Sequence, residues 1–485
     1  MRHPILYEIN TRSWLRELSE KAAQPISLAN VPDSEFANWK RLGFTHIWLM
    51  GVWTSGPLAR AEALKRFSLP GWSEADIAAS PYAIADYRVP PALGGEEGLR
   101  EFRRKLHKHG LKLMLDFVPN HVGIDHPWTS AKPEFFVQTP FELPGTFQQA
   151  TEAGAPRLAH GKDPHFAAWT DTVQLDYRLA ATRAAMTEVL RPIAERCDGV
   201  RCDMAMLLLN DVFAKTWERF PITDHQPSTS EFWAEAIAAV KQAHPRFLFL
   251  AEAYWGLEAR LQALGFDFTY DKELYDRLVA RDAPGVQRHL LGKPPGFLAR
   301  SAHFIENHDE PRIASMLSLG EHRAAALIIL SLPGMRFLHE GQIEGASNTI
   351  PVQLLRHSVA PPQEGIKNLY EQLLNTLQRT AVGQGRCELL RPRAAWAENP
   401  TAENFVIVQW QKQPPGFDLV VVNLAAHRSQ CFAPVNIGNR PACDWAMEDL
   451  LGQERFVRAG EGLQTQGLYL DLPAHGVHVL HCQPA

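Results

Sequence analysis

A short apolar run followed by a longer stretch with helical spacing recurs along most of this chain, and that recurrence limits the fold more than any other feature. The short runs are Ile5–Ile9, His46–Met50, Leu111–Val118, Gly199–Asp203, Phe247–Ala251, Asp267–Tyr270, Ala302–Ile305 and Met335–Leu338. Helical patterns at Ser34–Leu42, Glu96–His109, Ala181–Cys197, Thr229–Ala243 and Glu321–Ser331 lie between most of them. Strands that alternate with helices need crossover connections and form a parallel sheet. Eight of them over roughly 380 residues suit a (β/α)8 TIM barrel with insertions. An open, doubly wound sheet is the alternative, but it would carry a GxGxxG fingerprint after an early strand, and none follows.

Two segments break the alternation. From His121 to about Thr172 the chain is rich in Pro, Gly, Phe and Trp and has weak periodicity, so it reads as an excursion after the third strand. Beyond about Arg386, Phe405–Gln409, Asp418–Asn423 and Val477–His481 read as antiparallel strands with turn residues between them, a β-sandwich tail. The expected division is therefore a barrel over 1–120 and 173–386, an insertion over 121–172 and a sandwich over 387–485.

Composition narrows the function classes. At 45% hydrophobic, 21% charged and net charge −5, the chain is an ordinary globular one. No basic stretch argues for nucleic acid, and a neutral substrate suits it. The longest apolar run, Ala324–Leu332, is too short to span a membrane. Met1-Arg2-His3-Pro4 leads straight into a strand without a signal-peptide pattern, so a cytoplasmic location is expected. Six scattered cysteines without a CxxC pair read as buried free thiols.

In a (β/α)8 barrel, catalytic groups sit at the C-terminal ends of strands. The third strand ends in Asp116-Phe117-Val118-Pro119-Asn120-His121, and the fourth in Gly199-Val200-Arg201-Cys202-Asp203. The fifth ends in Leu250-Ala251-Glu252, and the seventh in Phe304-Ile305-Glu306-Asn307-His308-Asp309. Each acid alone could be a helix cap or half of an ion pair. Together they converge on one rim with an Arg and two His, and burying so many ionisable groups without use is costly. Such a cluster suits glycoside hydrolysis or transfer. One carboxylate attacks the anomeric carbon, and a second, kept protonated, donates to the leaving oxygen.

These four segments, in this order and on these strands, resemble the motifs of the α-amylase family, glycoside hydrolase family 13. The resemblance covers residues 5 to about 345 and extends to the β tail. It implies Asp203 as nucleophile, Glu252 as general acid/base and Asp309 as the acid that grips sugar hydroxyls at the reacting position. It implies that Arg201 positions Asp203 and that His121 and His308 bind hydroxyls. Asp116 and Asn120 resemble the structural members of the first motif. Ser80–Tyr87 resembles the segment that carries a stacking tyrosine; Tyr82 is the candidate, with a core aromatic as the other reading. Residues 121–172 resemble the family's B domain, Val173-Gln174-Leu175-Asp176 its exit, and Gly341–Gly345 the turn after the eighth strand.

Departures from the pattern bear on activity. Many starch-degrading members carry a Lys-His pair after the nucleophile, where this chain has Met206 and Leu207. Tyr254 and Trp255 could form a stacking platform there or merely pack the wall. Glu306 and Glu310 flank the fourth motif. Asn120 matches a position that binds Ca2+ in many relatives. The insertion, however, has acids at 125, 134, 142, 152, 163 and 171 without a Ca2+-loop spacing, so no metal or cofactor is expected. His121 and His126 could be read as metal ligands, but sugar binding suits His121 better.

The expectation is a retaining α-glucan-active hydrolase that cleaves α-1,4 bonds of maltooligosaccharides or glycogen-type glucans, with neither nucleic acid nor membrane as partner. The alternatives are a glucanotransferase, a maltosyltransferase or a disaccharide isomerase of the same family, and, from another class, an inactive binding subunit.

Overall fold

The computed structural model describes residues 3–67, 72–152, 154–221, 230–356, 361–438 and 440–485. Eight parallel strands close into a barrel: β1 (Ile5–Asn10), β2 (His46–Met50), β3 (Lys112–Phe117), β4 (Gly199–Cys202), β5 (Leu248–Ala251), β6 (Phe268–Tyr270), β7 (Ser301–His303) and β8 (Met335–His339). Each strand pairs with its sequence neighbours, and β1 closes the ring on β8 with Tyr7 opposite Leu338. The eight expected strands are all present. They differ by a residue or so at their ends, where hydrogen bonding fades. The helix expected to begin at Thr229 runs over Phe232–Ala243, and Thr229 itself lies outside the described residues.

The period-2 geometry of a strand sorts its side chains. Leu6, Trp48, Met114, Leu250, Phe268, Tyr270, Ala302, Met335 and Phe337 pack together inside the barrel. The alternate residues Tyr7, Ile47, Leu49, Leu113, Leu115, Val200 and Phe249 join the layer between strands and helices. The inward parity continues to the strand ends. Two residues beyond an interior apolar residue come Glu8 after Leu6, Asp116 after Met114 and Glu252 after Leu250, while Arg201 and Asp203 follow Gly199. The barrel's apolar filling therefore gives way, at its C-terminal end, to a layer of acids around one arginine.

The excursion after β3 is not structureless. His121–Gly123 pairs antiparallel with Thr172–Gln174, putting His121 opposite Gln174, and Thr146–Gln148 pairs with Arg157–Ala159. The first of these pairs ties the start of the excursion to its end beside the strand layer.

The tail has two sheets. One is six-stranded and contains Phe405–Gln411 and Phe417–Asn423; the other is three-stranded and contains Ser429–Ala433 and Leu468–Leu472. Ile407, Leu419 and Val421 face Cys431, Ala433, Leu468 and Leu470 in the sandwich core. The alternate residues Val406, Val408, Trp410, Val420 and Val422 pack with the barrel's own core instead. The helix Leu319–Ser331 is buried nearly all round, and Trp410 donates its indole N–H to the Ser331 carbonyl at 2.7 Å. The apolar run at 324–332 is thus a helix enclosed between barrel and tail. Among the described residues no helix is long and apolar enough to cross a membrane.

Candidate active site

The acid layer is organised by Arg201. This side chain is fully buried. One terminal nitrogen donates to Asp203 Oδ1 at 2.6 Å and the other reaches Glu252 Oε2 at 2.8 Å. Its guanidinium lies 5.3 Å from the Trp48 ring centroid, 5.2 Å from that of Tyr82 and 5.9 Å from that of Tyr270. A planar fork matched to two carboxylates and stacked among aromatic faces is a role for arginine rather than lysine. Because a single guanidinium touches both acids, they lie close together on adjacent strands.

Glu252 has two further hydrogen-bond partners. The Met204 N–H donates to Oε2 at 2.6 Å, and the Tyr254 hydroxyl donates to Oε1 at 2.8 Å. Met204, directly after Asp203, has φ 43°, a left-handed conformation rare for a non-glycine residue. That turn aims its N–H at the acid on the next strand, the kind of local strain that concentrates at functional sites. Burial drives the Glu252 carboxyl up; Arg201 opposes this, and Asp203 and Asp309 reinforce it, leaving it at about 7. Burial also lifts Asp203 above its ordinary value, against the pull of Arg201. Burial thus leaves Glu252 able to hold a proton at neutral pH beside a second carboxyl on the same guanidinium.

The second half of the site comes from the segment after β7. His308 Nε2 lies 3.0 Å from Asp309 Oδ2 and 2.7 Å from the Tyr82 hydroxyl, and the two rings stack at 5.4 Å between centroids. The Asp309 side chain is 49% exposed, whereas Asp203 and Glu252 are buried, so Asp309 offers the most open carboxylate of the three. Burial pushes Asp309 up, but His308 and Arg201 outweigh it and bring it down to about 2.

The remaining expected residues fall into place around this centre. Asp116 accepts the Trp48 indole N–H at 3.0 Å and the Gly51 N–H at 2.8 Å, so it fixes the wall under Tyr82 and Arg201. Asn120 and Gln174 exchange hydrogen bonds through their carboxamides, clasping the two ends of the excursion. His121 is buried against Trp169, and burial lowers its pKa to about 4, so it is a neutral imidazole. Tyr82 is half-buried, in ring contact with His308 and with its face toward Arg201, inside the acid cluster rather than in the general core. Trp255 stands apart. It is 44% exposed with φ 62°, and its ring meets His165 of the excursion edge-on at 4.9 Å. Tyr254 is a hydrogen-bond partner of the acid, while Trp255 presents an open aromatic face at the rim. Met206 and Leu207 are buried and offer no polar group. Glu306 is buried against Arg312, and Glu310 meets Lys272.

Among the described residues no group of three or more His, Cys, Asp or Glu side chains is gathered as a metal cluster. Three of the residues considered as ligands have protein partners. Asn120 is bound to Gln174, Asp125 accepts the Leu58 and Ala59 N–H groups, and Asp163 accepts those of His165 and Phe166.

One central residue escaped the sequence reading. Glu8, fully buried at the C-terminal end of β1, meets His308 Nδ1 at 2.5 Å. Its signal was present: a lone acid inside the apolar strand Ile5–Ile9.

Comparisons with known proteins bear on the fold and the family. The family model described as "Alpha amylase, catalytic domain" matches residues 36–265. Alpha-amylase 3 of Dictyoglomus thermophilum is 21% identical over 374 residues, covering 73% of this chain and 66% of that protein. Maltase 1 of Drosophila virilis is 24% identical over 393 residues, 70% of this chain and 58% of that one. An α-1,4-glucan:maltose-1-phosphate maltosyltransferase of Pseudomonas aeruginosa is 27% identical over 205 residues, 41% of this chain and 26% of the relative. The matches thus span less than two thirds of these curated relatives' lengths. In solved structures, a maltogenic α-amylase from Thermotoga neapolitana superposes with TM-score 0.70 at 19% identity, covering 99% of this chain and 98% of that one. An α-amylase from Lactobacillus plantarum gives TM-score 0.69 at 20% identity with the same coverage. With acid-bearing segments at the ends of β3, β4, β5 and β7 of a closed barrel, this chain is similar to the α-amylase family in sequence over residues 36–265 and in fold throughout.

Proposed function

We propose that the protein is a retaining glycoside hydrolase acting on α-1,4-linked maltooligosaccharides or glycogen-type glucans. The observation that carries this reading is the single buried guanidinium of Arg201, which spans Asp203 and Glu252. Retaining enzymes hold their two carboxyls about 5–5.5 Å apart, whereas inverting ones leave about 6.5–9.5 Å for a water. Two carboxyls on one fork suit the shorter separation.

In this reading Asp203 attacks the anomeric carbon. The Glu252 proton passes to the glycosidic oxygen as that bond breaks, leaving a glycosyl ester on Asp203. Glu252, now a carboxylate, takes a proton from water, which attacks the same carbon and releases Asp203. Burial suits Glu252 to this double duty because it keeps a proton there at neutral pH. Arg201 keeps Asp203 aimed and favours its ionised form against burial. Asp309, open to the cleft and ionised, is suited to grip sugar hydroxyls with His308, while Tyr82 forms the floor. His121 lines the excursion side, and Trp255 with His165 offers a stacking surface at the rim. Six free thiols are compatible with a reducing, cytoplasmic location.

The named relatives include hydrolases and a transferase, which differ in whether water or a sugar resolves the ester. Product analysis on maltoheptaose separates them. Shorter oligosaccharides alone are expected. Longer ones as well would make the protein a glucanotransferase, and no product would make it a binding subunit.

A further inference from the structure

We propose that Glu8 is a positioning residue for the reaction, holding His308 as an imidazolium with one N–H committed inward and the other directed at Asp309 and Tyr82. The inference deepens the glycosidase reading and rests on it for its catalytic consequence. Its structural part stands on the contacts alone.

Glu8 is the inward-facing residue that follows Leu6 on β1, at the same depth as the acid layer. It is fully buried. Among the described residues the His308 ring is the only hydrogen-bond partner of its carboxylate, and Oε2 has none. A buried carboxylate so placed needs a positive partner, and His308 Nδ1 at 2.5 Å is the one supplied. On the far side of the ring, Nε2 faces Asp309 Oδ2 at 3.0 Å and the Tyr82 hydroxyl at 2.7 Å. A ring between two carboxylates can satisfy both only if both nitrogens carry protons. The other groups around it are Asp116 on β3, Arg201 and Asp203 on β4, and the Trp48 ring, which meets it edge-on at 5.8 Å. Burial favours the neutral ring, but Asp309 and Glu8 overcome it and raise His308 well above its ordinary value.

The consequence is directional. With both ring nitrogens protonated, Nε2–H is a donor toward the cleft, and the charge on His308 favours an ionised Asp309. With an amide in place of the Glu8 carboxylate, Nδ1–H can still donate inward. The ring then loses one of its two carboxylate partners and gives up its second proton more readily. Nε2 would become an acceptor, unable to donate to Asp309 or to a sugar oxygen.

The test uses the full-length protein labelled with 15N-histidine, with His308 assigned by its loss in His308→Gln. The wild type should show an imidazolium signature for His308 at pH 7.5. Glu8→Gln should show a neutral ring protonated at Nδ1. Losing one hydrogen bond to a charged group corresponds to a fall of about 10- to 100-fold in kcat. KM should change little, and the alkaline limb of the pH profile should move to lower pH. A neutral His308 in the wild type at pH 7.5 would overturn the proposal even if Glu8→Gln failed to fold. So would a folded Glu8→Gln that keeps both the imidazolium and the wild-type pH profile. An imidazolium in a protein inactive on every α-glucan would instead count against the glycosidase reading and leave the role of Glu8 in the ring's charge intact.

Discussion

Replacing Arg201 by Met removes the group on which the site depends and leaves most of its volume. The guanidinium makes charge-assisted bonds to Asp203 and Glu252 and lies among three aromatic rings. Removing one partner of a buried ion pair costs about 3–5 kcal/mol, because the remaining charge is stranded. Unfolding a barrel of roughly 380 residues changes entropy by about 0.8 kcal/mol per degree, so the melting temperature should fall by about 4–6 °C. The deficit should depend on pH. Arg201 pulls both carboxyls down, so without it the folded-state values of Asp203 and Glu252 rise further above those of the unfolded chain. A raised carboxyl leaves stability intact below its unfolded value and removes it as pH climbs through the folded value. The variant should therefore lie closer to wild type at pH 5 than at pH 8. Differential scanning fluorimetry of both proteins across that range measures it. Equal melting temperatures, or a deficit independent of pH, would refute the view that Arg201 offsets the buried acids.

Asp203→Asn should fold normally, since it changes charge and hardly any volume, and should lose about 10³-fold or more in kcat; a variant with a tenth of wild-type activity would exclude Asp203 as nucleophile. Glu252 must be protonated to act as acid, so kcat/KM should fall as pH rises through about 7, and an activated substrate with a leaving group that needs no proton should lose that limb. Dialysis against EDTA should leave activity and melting temperature nearly unchanged, because Asn120, Asp125 and Asp163 are already committed to protein partners; a large drop restored by Ca2+ would contradict this. Trp255→Ala should raise KM for maltoheptaose several-fold with little change in kcat, as expected when an open stacking face is removed; an unchanged KM would assign Trp255 to packing against His165 alone.

What the sequence revealed follows from what is periodic in it. The barrel was legible because strand-helix alternation is local, and the acids were legible because they terminate apolar runs: Asp203 after Gly199-Val200 and Glu252 after Leu250-Ala251. Glu8 was passed over because it sits inside a run whose alternation looks uniformly apolar, and only closure of β1 onto β8 brings it to His308, 300 positions away. Aromatic type says nothing about where a hydroxyl points, so the sequence leaves Tyr254 as a platform or as wall packing; in the fold it donates to Glu252. The left-handed turn at Met204 left no trace, since its conformation is imposed by the neighbouring strand rather than by glycine. The pairing inside the excursion was hidden by strands of three residues, too short for a period to show.

The most direct test of the central claim, a covalent step at Asp203, is to trap the ester. Glu252→Gln treated with α-maltosyl fluoride should form it, because fluoride leaves without a proton, and should resolve it slowly, because no base activates water. Intact-mass and peptide mapping should then find one maltosyl group on the peptide containing Asp203. Turnover of the fluoride to maltose of opposite anomeric configuration, with no adduct at any stage, would contradict the account.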